Sequence, residues 1–218
     1  MTTLFERLGD AAVDHHWIPA SAMQGYGAVW DDTFAHMWPS IVIYLLLSVY
    51  WTAEAENKAE AVRSEPTWST ALHQVMVNAG VLLMIVPIPG LLGRILPNAI
   101  ALTAGGWVLS ALGAGFAILA RRQLGRNWSS EVRVAERHEL VRTGPYRYVR
   151  HPIYTGLLLM YVGFLLSSGR PNALIGLAVI LLTYVRKIAR EERLMHQTFG
   201  DAFEDYRRHS WIIFPPLI

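Results

Sequence analysis

Three adjacent residues, Arg150, His151 and Pro152, stand where a basic, turn-rich stretch of the sequence meets a long apolar segment. Proline is tolerated at the first position of a helix, and a helix that begins at Pro152 directs unpaired N–H groups and a partial positive charge towards its entrance. Such an entrance stabilises an anion. Arg150 adds a guanidinium fork that suits a carboxylate, and Tyr154 can line the same side as His151. The junction is therefore predicted to bind an anionic group, with attachment of Arg150 to lipid headgroups as the alternative.

A second charged site, Glu191-Glu192, follows another apolar segment and is surrounded by basic residues. On a solvated helix, ion pairs between neighbouring turns would contribute only about 0.2–0.5 kcal/mol each. The alternative is that one carboxylate turns inward and holds a cationic or hydroxyl-bearing ligand. On its own, the pair leaves both interpretations open.

The adjacent histidines His15 and His16 are the pair that most resembles metal ligands. They have no third ligand nearby, and the chain contains no cysteine that could supply a thiolate. We therefore predict no metal site and interpret the two histidines as a solvated or interfacial pair.

The composition indicates a membrane protein. Hydrophobic residues make up 53% of the 218 positions and charged residues only 17%, which is too apolar for an ordinary soluble protein. Eight tryptophans and nine tyrosines fit a protein with amphipathic rings at two membrane interfaces. The net charge of +2 gives no indication of nucleic-acid binding.

Five apolar stretches predict an all-α fold, a polytopic membrane bundle of about five transmembrane helices. A hydrocarbon core of about 30 Å takes roughly 20 helical residues. The last two stretches are shorter and closely spaced, which predicts a helical hairpin. A surface helix is expected within 1–35, a charged helix up to about residue 206, and an apolar segment that folds back onto the membrane face. The predicted spans are 34–53, 70–92, 97–120, 152–166 and 173–185.

Two features of the predicted spans concern helix packing. Gly106 and Gly113 are seven residues apart and therefore lie on one face, where the missing side chains let a neighbouring helix approach closely. His73 and Asn78 share part of a face in the second span. Because polar groups in membrane helices usually point at the bundle interior, we predict that they make interhelical hydrogen bonds, with a substrate path as the alternative.

Basic residues are concentrated in two parts of the chain. Of the 19 lysines and arginines, eight lie within 121–150 and six within 186–208. Because such residues accumulate on the cytoplasmic side of a membrane, both segments are predicted to be cytosolic. With five spans the N-terminus is then predicted to lie outside, and the two charged sites meet on one face.

The charged sites belong to a longer pattern that resembles the isoprenylcysteine carboxyl methyltransferase and phospholipid methyltransferase superfamily. The pattern reads His-x-Leu-Val-x-x-Gly-Pro-Tyr, then Arg-His-Pro-x-Tyr-x-Gly, then Glu-Glu, Phe-Gly and Tyr. It covers roughly residues 121–218, whereas residues 1–120, with three spans, carry no such signature. The matching residues are His138, Leu140, Val141, Gly144, Pro145, Tyr146, Arg150, His151, Pro152, Tyr154, Gly156, Glu191, Glu192, Phe199, Gly200 and Tyr206.

The resemblance implies an integral membrane methyltransferase that uses S-adenosyl-L-methionine, held near the cytosolic face by residues of a catalytic region at 121–218. It implies catalytic roles for Arg150 and Glu192, and Tyr154 is a further catalytic candidate. Which of the two adjacent glutamates has which role is left open. The cofactor pocket is expected to include His138, Leu140, Val141, Gly144, Tyr146, His151, Pro152, Glu191 and Glu192.

The acceptor is expected to be a lipophilic or lipidated molecule that arrives from the bilayer, most simply a carboxylate of an isoprenylcysteine-like substrate. A carboxylate is ionised at pH 7 and needs no general base. A phospholipid N-methyltransferase, or a small thiol or amine methyltransferase, is the alternative. An amine acceptor would lose a proton to Glu192, His151 or Tyr154.

A third possibility is an NADPH-dependent, sterol-reductase-like enzyme with a similar Arg-His-Pro-x-Tyr-x-Gly motif. The oligomeric state is not predicted.

Overall fold

The computed structural model of the chain describes residues 26–54, 61–64, 67–88, 91, 93–125, 133–135 and 140–215. These ranges contain six α-helices: α1 (Tyr26–Ala53), α2 (Thr67–Ile85), α3 (Ile100–Leu124), α4 (Pro152–Ser168), α5 (Pro171–Phe199) and α6 (Asp201–Arg208). The predicted all-α membrane bundle is confirmed. One small addition is an antiparallel pair of strands, β1 (Ala61–Ser64) and β2 (Arg133–Ala135). The surface helix predicted near the start of the chain lies outside the described residues.

Four of the helices are long and apolar enough to cross a membrane: α1 from Gly27, α2 from Trp68, α3 and α5. Helix α4 is shorter, with 17 residues, or about 26 Å at 1.5 Å per residue. This length is at the lower limit for a span. The five apolar helices therefore correspond to the five that the sequence predicts, with α4 as the shortest.

Three helix boundaries differ clearly from the predicted ones. Helix α1 begins at Tyr26, eight residues before the predicted start at 34. Helix α2 ends at Ile85, well before residue 92, because Pro87 has no N–H to continue the hydrogen-bond ladder. Helix α5 continues without a break for 29 residues from the fifth span into the charged region, as the helical pattern predicts, but it ends at Phe199, before residue 206. Gly200, with φ of 50°, then separates α5 from α6.

Helices α3 and α4 approach each other closely along a line of glycines. A methyl group on Gly106 would lie 2.6 Å from the carbonyl oxygen of Gly163, and one on Gly113 would lie 2.5 Å from that of Gly156. Between these contacts the Ser110 hydroxyl donates to a backbone carbonyl of α4 at 3.1 Å. The interpretation of Gly106 and Gly113 as packing glycines is confirmed by this geometry.

The two polar residues of α2 make different contacts. The Asn78 Oδ1 accepts hydrogen bonds from Gln74 within α2, at 3.2 Å, and from the Tyr44 hydroxyl of α1, at 3.5 Å. His73 instead faces α5, where its ring stacks on Tyr184 with centroids 5.9 Å apart. A separation of five residues turns the two side chains about 140° apart on a helix, so the prediction that they share part of a face is wrong. The predicted interhelical hydrogen bond is confirmed for Asn78.

The helical hairpin of α4 and α5 turns at Gly169 and Arg170, and an ion pair joins it to α1 at this turn. Gly169 ends α4 in the left-handed conformation, with φ of 63°, and Pro171 begins α5. Between them the buried Arg170 donates to Asp32 of α1 at 2.5 Å, and Arg94 lies 3.4 Å from the same carboxylate oxygen. The cluster of Asp32, Arg94 and Arg170 joins α1 to the hairpin at the end of the bundle opposite Arg150.

The neighbouring glycines of α3 give a matched test of the close helix contact. Gly105 is exposed, with nothing within 4 Å of an added methyl group. Gly105→Ala should therefore stabilise the protein by about 0.5–1 kcal/mol, the usual gain of helix propensity. Gly106→Ala should destabilise it by about 1–3 kcal/mol because α4 must move away. Thermal unfolding in detergent measures both, and equal effects would contradict the packing described.

Candidate functional site

The candidate site lies where the approach to α4 meets the charged half of α5. Pro152 is buried at the first position of α4. The two residues before it run beside residues 210–215, which we call the return segment. The N–H groups of Arg150 and His151 donate to carbonyl oxygens of the return segment, at 2.7 and 3.1 Å. The predicted fold-back after the last helix is therefore observed, and it lies against the site.

Arg150 links α4, α5 and the return segment. Its Nε donates to Glu192 Oε1 at 2.7 Å, and its Nη1 donates to the backbone carbonyls of Arg207 and Ser210. The side chain is only 7% exposed. A guanidinium so enclosed has a fixed orientation, as binding a carboxylate in one geometry requires.

His151 lies between two carboxylates. Its Nδ1 is 3.4 Å from Glu191 Oε2, and its Nε2 is 3.4 Å from Glu192 Oε1. An imidazole can donate to both oxygens only when both ring nitrogens carry protons. Burial alone lowers the pKa of His151, but its hydrogen bonds to the two glutamates and their negative charges outweigh that effect and leave the pKa above 6.5. The raised pKa and the two flanking carboxylates therefore favour the imidazolium form of the ring.

Tyr154 joins this network from the membrane side. Its hydroxyl donates to Glu191 Oε1 at 2.6 Å, and its ring centroid lies 4.9 Å from that of Tyr184. Tyr184 was not among the predicted site residues. It precedes Glu191 by seven residues, which places both on one face of a helix, so this spacing is the signal that could have found it.

The two glutamates, which sequence reasoning left indistinguishable, have different partners. Glu192 pairs with Arg150, whereas Glu191 accepts the hydrogen bond from Tyr154, and His151 lies between them. Both carboxylates remain about one-fifth exposed, at 22% for Glu191 and 19% for Glu192. The two carboxylates face Arg150 and His151, and Lys187 and Arg207 lie nearby. The network therefore presents groups of both signs to a zwitterionic ligand.

A short 3-10 helix, Gly144–Arg147, forms the wall before Arg150. Gly144 begins it with φ of 59°, a conformation that side chains disfavour. The backbone carbonyl of buried Tyr146 accepts a hydrogen bond from the Tyr206 hydroxyl at 2.6 Å. Burial raises the pKa of Tyr206 to about 12, so this hydroxyl stays a donor and holds α6 against the 3-10 helix.

The structure thus brings five predicted site residues into direct contact, and Pro152 beside them. Their proposed roles in binding or catalysis stay predictions. Leu140 and Val141 are partly buried in the stretch that leads to the 3-10 helix. Outside the described residues lie His138, His15 and His16.

The position of His151 predicts a pH-dependent contribution to stability. A histidine whose pKa is raised in the folded state stabilises fully below about pH 6.5, and this contribution is lost as pH rises through the raised pKa. The difference in unfolding temperature between the native protein and His151→Asn should therefore shrink as the solution is made alkaline. The exposed His209→Asn serves as control, with a small effect at each pH. A His151→Asn difference that does not change with pH would contradict the imidazolium assignment.

Comparisons with known proteins agree with the motif. Residues 101–202 match the family model described as phospholipid methyltransferase. A probable protein-S-isoprenylcysteine O-methyltransferase of Oryza sativa subsp. indica is 31% identical over 114 residues, which are 50% of this chain and 60% of that protein. The protein-S-isoprenylcysteine O-methyltransferase of Dictyostelium discoideum is 25% identical over 185 residues, 84% of this chain and 73% of its own. The chain therefore spans less than two thirds of the rice relative.

A solved structure of a similar protein has a related fold. It is the eukaryotic intramembrane Ras methyltransferase ICMT, with a TM-score of 0.52 and 20% identity over 84% of this chain and 67% of that one. The family match and the relatives agree with the isoprenylcysteine carboxyl methyltransferase and phospholipid methyltransferase superfamily, and the solved structure agrees with the fold. The resemblance predicted from the motif is thereby confirmed. The chain is an integral membrane protein.

Proposed function

We propose that the chain is an S-adenosyl-L-methionine-dependent methyltransferase that acts on a carboxylate of a lipophilic, isoprenylcysteine-like acceptor. The observation that carries this proposal is the network of Arg150, His151, Tyr154, Glu191 and Glu192 at the membrane entrance of α4. It combines anion-binding and cation-binding groups next to an apolar, aromatic surface. The names of the relatives and of the family model support the same reaction class.

The residues of the site fit the proposed cofactor. S-adenosyl-L-methionine, when bound, supplies an electrophilic methyl group on a sulfonium. Its amino acid portion is zwitterionic, which matches a network with groups of both signs. Glu191 and Glu192, each partly exposed, suit an amine or ribose hydroxyls. Arg150 and the start of α4 suit a carboxylate, of the cofactor or of the acceptor.

The protein's contribution to the reaction would be orientation. A carboxylate acceptor is ionised near neutral pH, so no residue has to remove a proton. Arg150 is fixed by Glu192 and by backbone carbonyls, and it can hold the acceptor carboxylate in line with the transferred methyl group. Well-oriented reactants can lower a barrier by about 7–11 kcal/mol. Tyr154 holds Glu191 from the membrane side, and His151 lies between the two carboxylates.

The protonation of His151 favours a carboxylate over an amine acceptor. An amine acceptor needs a general base, and His151 was one of the predicted candidates. Because the two glutamates raise the pKa of His151 and each ring nitrogen faces a carboxylate, the ring favours the imidazolium form, which cannot accept another proton. Phospholipid N-methylation, which the name of the matching family suggests, would then depend on Glu192 or Tyr154.

The two reactants would reach the site from different sides. The rings of Tyr154, Tyr184 and His73 form an aromatic row that leads from Glu191 into the bundle, between α4, α5 and α2. A lipophilic acceptor would approach along this row from the bilayer. The water-soluble cofactor would approach from the end of the bundle that carries the basic segments, which is cytosolic by the positive-inside rule.

Cofactor binding can be measured with S-adenosylhomocysteine and purified protein in a calorimeter. We expect binding to the native protein and at least about a tenfold weaker affinity for Glu192→Gln, because a charge-assisted contact contributes about 1.5–3 kcal/mol. The control is Glu204→Gln on α6, which removes a partly exposed carboxylate that pairs with Arg207. Binding of NADPH with no response to S-adenosylhomocysteine would favour the reductase-like alternative.

The acceptor class can be tested with two substrates and one variant. An S-farnesylated N-acetylcysteine should be converted to a base-labile methyl ester, whereas phosphatidylethanolamine in vesicles should remain unmethylated. Arg150→Lys keeps the positive charge but loses the planar guanidinium with its paired N–H donors. The acceptor carboxylate would then be misaligned, so turnover should fall by about a hundredfold. Arg208→Lys, exposed on α6, is the control. Methylation of the lipid amine alone would overturn the carboxylate assignment.

A further inference from the structure

The return segment exposes apolar side chains although its backbone is well held. Trp211, Ile212 and Phe214 are 51, 47 and 50% exposed. Ile213 between them packs against the core, and its carbonyl accepts a hydrogen bond from the Thr155 hydroxyl of α4 at 2.6 Å. The contacts of Ile213 therefore fix the backbone of the return segment, and this backbone in turn holds the three exposed side chains in position.

The surroundings of this segment resemble a membrane interface. Tyr148, adjacent to the bridge between Val149 and Trp211, is 64% exposed, and the Arg147 guanidinium lies over its ring at 5.9 Å. Exposed Arg207 and Arg208 close α6, just before the segment. Aromatic rings beside arginines are characteristic of the headgroup region, where basic groups meet anionic lipids.

Acidic groups near the segment have basic partners. Asp205 pairs with Arg142 at 3.0 Å, and Glu204 pairs with Arg207 at 3.1 Å. Glu192 is paired with Arg150 on the inner side. The nearby carboxylates are therefore largely neutralised, and anionic lipid would not meet an uncompensated negative surface.

We propose that the return segment is a lipid-binding element that inserts Trp211, Ile212 and Phe214 into the headgroup region beside the entrance of α4. The occupant of this apolar surface is the bilayer, because the segment is continuous with the start of a membrane helix. Its backbone also holds the site: the carbonyls of Ser210 and Trp211 accept hydrogen bonds from the Arg150 side chain and N–H. Lipid contact therefore fixes the position of Arg150.

The absence of cysteine from the chain allows a direct depth measurement. A nitroxide on Ile212→Cys or Phe214→Cys is compared with one on His209→Cys, whose native side chain is 75% exposed. The protein is placed in vesicles of three parts phosphatidylcholine to one part phosphatidylglycerol. Positions 212 and 214 should be more accessible to oxygen than to a water-soluble nickel chelate, and position 209 the reverse. Equal nickel access at all three positions would overturn the proposal.

Hydrogen exchange tests the coupling to the site without any use of methyl transfer. The Arg150 and His151 N–H groups donate to carbonyls of the return segment. Their exchange should slow by roughly tenfold on transfer from detergent to the same vesicles, the factor expected from partial burial of one aromatic side chain. Phe214→Ser should lose this change, whereas the exposed Leu112→Ser on α3 should retain it. Exchange that is the same in detergent and vesicles would overturn the coupling, whatever reaction the protein catalyses.

Discussion

The ion pair between Arg150 and Glu192 is the interaction on which the arrangement of the site depends. Removing both charges from water costs several kcal/mol per ion, and their attraction offsets this only when further hydrogen bonds satisfy each group. Those further partners are the carbonyls of Arg207 and Ser210 and the ring of His151. The approach to α4, the charged half of α5 and the residues that end α6 therefore meet at this point, because the enclosed guanidinium is stable only when all of these partners are in place.

The position of this ion pair is set by apolar packing deeper in the bundle. Helix α4 presents Gly156 to Gly113 of α3 one turn after Pro152, and at that contact the two backbones touch. A helix held at backbone distance has little freedom to slide or rotate. The entrance of α4 is consequently a rigid support, and a site needs such a support if reactants are to be aligned within a fraction of an ångström.

Sequence reasoning predicted the parts of this molecule that depend on local pattern. The five apolar helices, the glycine contact and the meeting of Arg150 with Glu192 follow from hydropathy, from a seven-residue spacing and from a motif with fixed order. The carbonyl partners of Arg150 could not be predicted, because backbone atoms carry no residue identity. The different partners of Glu191 and Glu192 depend on how α5 is rotated. That rotation is fixed by packing against α2 and α4, and adjacent identical residues give no clue to it.

The unbroken length of α5 has a consequence for where chemistry can occur. At 1.5 Å per residue, the helix carries Glu191 about 30 Å from Pro171, which is about the thickness of the hydrocarbon core. For a span that enters the hydrocarbon core at Pro171, this length places the two carboxylates at the opposite lipid boundary, level with the first methylenes below the headgroups. A polar donor can reach that depth from water without crossing the bilayer, and an apolar acceptor can reach it without leaving.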